Sequence, residues 1–269
     1  MSSSLLRARA IREIPWRDLA VIRPIERWRE LLLPIPFLVT ARIAFTLDYI
    51  PLVLIASAYF FLAGLRVVHD AFHGNLALSR RANDLVLLAL SALMLGSMHA
   101  VRLTHLQHHR DCLGPGDVEG NTARRSALGA IAAGVAFPFA LHRAAWRLAD
   151  RRGRRWILGE SALTVVLVAA AIVLAATGAG VSQFTNHVAL MLIAQTLTGF
   201  FAVWTVHHDV DPERQIARTL RSRVKSALAL GMFFHLEHHL FPTVPTCHLP
   251  ALADRLEQAA PELSKARVY

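Results

Sequence analysis

The chain has 269 residues, of which 54% are hydrophobic and 18% charged, with a net charge of +10 from 29 basic and 19 acidic side chains. Globular chains carry about 25% charged residues, so this composition argues against disorder and against an ordinary soluble enzyme. A basic chain with a mean hydropathy of +0.40 points to a membrane, its arginines facing anionic headgroups, and away from a nucleic-acid partner.

Residues 1–30 carry seven arginines and read as a cytoplasmic N-terminal segment. No short apolar core and small-residue cleavage site follow them, so a cleaved signal peptide is not expected. Leu31 to Leu47 is apolar except for Arg42. Asp48-Tyr49-Ile50-Pro51 then breaks the chain, and Tyr49 to Leu65 is uncharged. These two runs predict a helical hairpin, with Arg42 costly near mid-span unless it snorkels or faces protein. Leu85 to Val101 and Ser126 to His142 are uncharged runs at the lower limit for a crossing and are expected to be interfacial or re-entrant. Ser161 to His208 contains no Asp, Glu, Lys or Arg over 48 residues. One helix of that length would be about 72 Å, against a hydrocarbon core of about 30 Å, so two crossings are expected around a turn at Thr177-Gly178-Ala179-Gly180. The expected fold is therefore all-α and integral to the membrane, with four crossings in two hairpins and a histidine-rich cytoplasmic cap. Residues 31–248 would form the membrane domain and residues 249–269 a cytoplasmic C-terminal segment.

Fourteen histidines are present, and most of them cluster. His69 and His73 are spaced i, i+4. His105, His108 and His109 form an HxxHH box, and His235, His238 and His239 form a second one. The pair His207-His208 closes the last uncharged run. Positions i and i+4 share a helix face, so each box can aim its rings at one place. Eight or nine imidazoles exceed the four ligands of a tetrahedral zinc and suit two metals of higher coordination number. Imidazole serves Zn, Cu, Fe and Ni alike, so ligand type leaves the metal open. Arg143 to Arg155 and Arg214 to Lys225 are basic, whereas the two turns between crossings are not. The positive-inside rule then puts both termini and all four histidine clusters on the cytoplasmic side. His99, His142, His187 and His248 stand alone and read as surface or interfacial residues. His187 falls on the outer side and outside the site. Cys112 and Cys247 are too few for a disulfide framework and read as ordinary small side chains.

The segments HDAFHG, HLQHHRD and HLEHHLFPTVP, in this order between about Arg66 and Leu252, resemble the membrane fatty acid desaturase superfamily. That superfamily includes acyl-lipid and sphingolipid desaturases and carotenoid ketolases and hydroxylases. The resemblance implies two non-haem iron ions held by the eight box histidines, and O2 as co-substrate. It also implies a separate electron donor of ferredoxin, rubredoxin or cytochrome b5 type. It implies a ninth ligand at the end of the last crossing, and Trp204-Thr-Val-His207 is similar to the ketolase pattern, which favours His207 over His208. Gly116-Asp117-Val-Glu119 resembles the acidic loop after the second box. Ala217-Arg218-Thr219-Leu220 and Met232-Phe-Phe-His235 resemble acyl desaturases. Desaturation of a long-chain fatty acyl group is the leading expectation, and hydroxylation or ketone formation on a lipid or carotenoid is the alternative. A membrane zinc transporter or hydrolase is the remote one. Carboxylates are expected to orient the metal-bound imidazoles, with Asp70, Asp111, Asp117, Asp209 and Glu237 as candidates. Ala63, Gly64 and Gly199 are read mainly as helix-packing positions.

Overall fold

Prolines and polar caps set the helix starts. The computed structural model describes residues 11, 13–177, 182–210 and 216–261, with Arg223 described for its backbone alone. Every regular element among them is a helix. Proline opens α1 (Pro24–Leu32) and α2 (Pro34–Thr46) and sits in the first turn of α3 (Ile50–His73), where its missing N–H costs nothing. Ser79 caps α4 (Arg80–Met94), Ser97 caps α5 (Met98–Arg110) and Ser126 caps α6 (Ala127–Ala133). After α7 (Phe137–Leu148), Asp150 caps α8 (Arg151–Ala176) and Ser182 caps α9 (Gln183–His207). Three short helices close the chain, α10 (Arg223–Leu228), α11 (His235–Leu240) and α12 (Leu249–Ala259).

Three helices, α3, α8 and α9, are long and apolar enough to cross a membrane. Leu54, Ile55, Val165, Val166, Ile172 and Ile193 on them point outward, as lipid-facing side chains do. The 48-residue uncharged run divides as expected, although α8 starts ten residues before it, at Arg151; residues 178–181 of the expected turn lie outside the described residues. The expected first arm is shorter than its composition indicates. Leu33 interrupts the helix, and α2 alone has 13 residues, about 20 Å. Arg42 faces protein, donating to the Gln183 carbonyl at the start of α9.

The two other apolar runs are both bent. α4 and α5 meet at 108°, and α6 and α7 at 67°. At the first bend, the free carbonyls of Leu93 and Met94 accept hydrogen bonds from His187 Nε2 and Gln195 Nε2 of α9, each at 2.8 Å. These bonds satisfy a helix end that water does not reach. The main core packs α3, α4, α8 and α9 around Phe60, Val67, Leu87, Met94 and Met191. A second core joins Ile11 and Ile14 to Phe234, Leu236 and Phe241 of the third box region and to Leu249, Leu252 and Leu256 of α12.

Candidate metal centre

Four helix ends converge on one place. The last turn of α3 brings His69 and His73 and then stops at Gly74, whose φ of +76° suits a residue without Cβ. The last two turns of α5 bring His105, His108 and His109, and α11 brings His235, His238 and His239. α9 ends at His207, just after a π-helical stretch, Gly199–Trp204, that changes the rotation of its last turn.

The nine histidines sort into two groups, each with its ligand nitrogens within 4.8 Å of one another: His69, His73, His105, His109 and His238, and His108, His207, His235 and His239. Both HxxHH boxes divide between the groups, in opposite senses. His105 and His109 enter the first group and His108 the second; His235 and His239 enter the second and His238 the first. His208 belongs to neither. It stacks on Trp204 at 4.2 Å and meets the exposed Asp209 at 3.3 Å.

Hydrogen positions decide what such groups can hold. His108 Nδ1 lies 2.7 Å from Asp117 Oδ2, and His207 Nδ1 lies 2.9 Å from the Ile216 carbonyl. Burial by itself would raise the Asp117 carboxyl, but the His108 ring and the N–H groups of Gly120 and Leu113 hold it below its ordinary value, so it stays an acceptor. Each Nδ1 therefore carries a hydrogen, which turns the ring's Nε2 toward the group. Those two Nε2 atoms face each other at 3.0 Å. In the first group His105 donates through Nδ1 to Glu119 at 3.2 Å, and its Nε2 meets those of His73 and His109 at 3.1 Å. Nε2 atoms at these separations can share one cation when each offers its lone pair. Nitrogens about 2.1 Å from one ion and at right angles to each other lie about 3.0 Å apart, so the spacings fit shared metal ligation. Both nitrogens of buried His69 also lack a partner among the described residues. Burial first, and neighbouring imidazoles second, push His235, His238 and His239 well below the ordinary histidine value, which keeps them neutral and able to ligate.

Of the five carboxylates expected to orient the rings, only Asp117 touches a clustered histidine among the described residues. Asp70 instead accepts from the backbone N–H and hydroxyl of Thr246, at 3.1 and 3.0 Å, and so ties α3 to the C-terminal region. Glu237 accepts from Thr219 and Arg221. Asp111 closes its own loop on the Gly116 N–H, and Asp209 pairs with His208. The second orienting carboxylate is Glu119, which also accepts from Thr104 Oγ1 at 2.9 Å. Its place in the acidic loop was the available signal. Cys112 Sγ lies 3.9 Å from His108 Nε2, closer to the centre than an ordinary small side chain needs to be. Gly64 meets Met94 and Gly199 meets Phe137, so both serve packing.

Of the four isolated histidines, His99 and His187 are buried rather than at the surface, and His142 and His248 are half-buried. His99 is buried between two carboxylates, His142 bridges Ser97 N–H and the Pro138 carbonyl, and His248 donates to the Leu19 carbonyl. His187 is buried on α9, away from both groups.

A comparison with curated proteins gives no match. A family model described as fatty acid desaturase matches residues 46–269, a span that contains all nine clustered histidines and both orienting carboxylates. The match covers well over half of the chain, and this protein belongs to the fatty acid desaturase family, the membrane desaturase superfamily.

Proposed function

We propose that this protein is a membrane-bound, non-haem di-iron oxidoreductase that uses O2 to desaturate a long-chain fatty acyl group. The observation that carries the reading is the set of histidine Nε2 atoms facing one another at 2.9–3.1 Å in two groups. His69, His73, His105, His109 and His238 would hold one iron, and His108, His207, His235 and His239 the other. Bound there, the irons would supply the O2-dependent oxidation of an unactivated C–H bond that no acid or base side chain achieves. Over the whole reaction, two hydrogens leave adjacent carbons and, with two further protons and two electrons, reduce O2 to two waters. The electrons come from a separate donor of ferredoxin, rubredoxin or cytochrome b5 type.

The chain's own residues keep the imidazoles aimed. Asp117 and Glu119 hold the hydrogens of His108 and His105 on Nδ1, which fixes their tautomers. Burial excludes water from seven of the nine histidines, and His73 and His109 are half-buried.

The topology that supports this chemistry has four crossings, α2 being the short one, with residues 1–30 and 249–269 cytoplasmic. α3 and α9 both end at the histidines, so they run in the same direction. The two bent pairs between them then start and finish on the same side, as re-entrant segments do.

Expression in a host lacking the activity, with iron supplied and lipids profiled, tests the reading. An acyl product two hydrogens lighter supports it. A product one oxygen heavier would instead mean hydroxylation, and the exchange of two hydrogens for one oxygen would mean ketone formation. Unchanged acyl chains beside an oxidised carotenoid would replace the acyl assignment. Zinc alone, in protein from iron-replete cells, would move the reading to a zinc protein.

A further inference from the structure

The most fully built polar cluster outside the histidine groups lies behind α5. Glu160 of α8 is fully buried. Its Oε1 is 2.7 Å from His99 Nδ1, and its Oε2 accepts from Ser97 Oγ at 2.6 Å and from the His99 N–H at 3.2 Å. His99 Nε2 is 3.3 Å from Asp84 Oδ1 of α4, and the other oxygen of Asp84 takes Arg152 of α8. The His99 ring lies flat on Trp156, with centroids 4.5 Å apart and planes 3° from parallel. Its two nitrogens, its backbone N–H and its face are therefore all fixed.

The cluster marks where α5 begins. A helix start leaves N–H groups without intrahelical partners. Here Ser97 N–H meets His142 Nε2, Met98 N–H meets Ser91 Oγ, His99 N–H meets Glu160, and Ala100 N–H meets Ser97 Oγ. The partners come from α4, α7, α8 and the cap itself. His108 follows His99 by nine residues, two and a half turns at 3.6 residues per turn, so the two lie on opposite faces of α5. His99 clamps the back of the helix while Asp117 and Glu119 clamp its histidines in front. Apolar packing would cover the same surface at least as stably, because buried charges are expensive to desolvate. What directional polar contacts add is register.

We propose that His99 and Glu160 are positioning residues that set the start and rotation of α5 and thereby aim His105, His108 and His109. The proposal rests on the reading of those histidines as metal ligands. Cobalt(II) titration of the chelator-stripped full chain in detergent tests it, through affinity and through the visible spectrum of the bound ion. The variants are His99→Phe, which keeps a flat ring, and Glu160→Gln, which keeps size and one acceptor oxygen. Arg42→Met, which removes the distant tie between α2 and α9, controls for general destabilisation. We expect about a tenfold loss of affinity and a changed spectrum in the first two, and a wild-type spectrum in the control even where its melting temperature falls as far. If His99→Phe does not accumulate, Glu160→Gln decides alone. Folded Glu160→Gln protein with wild-type cobalt affinity and spectrum overturns the proposal while leaving the ligand assignment standing. A wild-type chain that binds no cobalt overturns both.

Discussion

At the scale of single residues, tautomers explain more than proximity does. His108 and His207 are near each other, but it is the acceptors at their Nδ1 atoms that turn both Nε2 atoms toward one another. Asp117→Asn and Glu119→Gln should therefore each lower metal affinity about 10–100-fold without removing any ligand, a loss that metal titration reads directly. In the same titration His207→Ala should lose bound metal and His208→Ala should keep it. The histidine boxes were legible because their spacing alone puts rings on one face. Glu119 was not singled out, because the loop conformation, rather than sequence adjacency, decides which acid reaches a ring. His99 read as isolated because its partners stand 15 and 61 residues away along the chain. Chain separation of that size is invisible to motif reading.

At the scale of helices, uncharged runs located the long spans but not their ends. α8 gains ten residues because its arginines continue the helix into the polar region. The bend between α4 and α5 depends on caps supplied by α7 and α9, which hydropathy does not record. Close packing of the second bend on α9 gives a test. A Cβ on Gly134 would lie 1.8 Å from the Thr196 carbonyl oxygen, a backbone atom that cannot step aside, whereas one on Gly159 would meet nothing within 4 Å. Gly134→Ala should destabilise the protein by about 1–3 kcal/mol or more. Gly159→Ala, inside the exposed face of α8, should stabilise it by about 0.5–1 kcal/mol. Thermal denaturation in detergent separates the two signs.

At the scale of the molecule, the two ends of the described chain meet in one core, tied at its edge by the Asp18–Arg255 ion pair, with the Arg23–Glu26 pair beside it at the start of α1. Asp18 is lowered to about 2 by its hydrogen bonds with Arg255, and Glu26 to about 2 by those with Arg23. Depressed carboxylates lend stability that is complete above their unfolded values, near 4, and is lost as pH falls toward 2. Trp16, packed on Phe241 at 5.6 Å, should keep its fluorescence from pH 8 to 5 and change only below about 4. Changes confined to pH 6–7 would point to histidines instead. The two-sided arrangement has its own check: reporters fused after residue 269 and inserted beside Ser182 should answer from opposite sides of the membrane. Identical answers would break the four-crossing topology.

The opposed division of the two boxes has a thermodynamic consequence. α5 and α11 each reach into both groups, so an ion captured by either group would immobilise helices that carry the other group's histidines. A second ion would then meet rings whose conformational freedom has already been lost, and would bind more tightly for that reason. By linkage, the first ion is held more tightly once the second is present. Occupancy should climb with a Hill coefficient above one, and a chelator should strip both ions together, leaving few molecules with a single ion. A titration that resolves two independent, non-interacting sites would mean that the helices are rigid before either ion arrives.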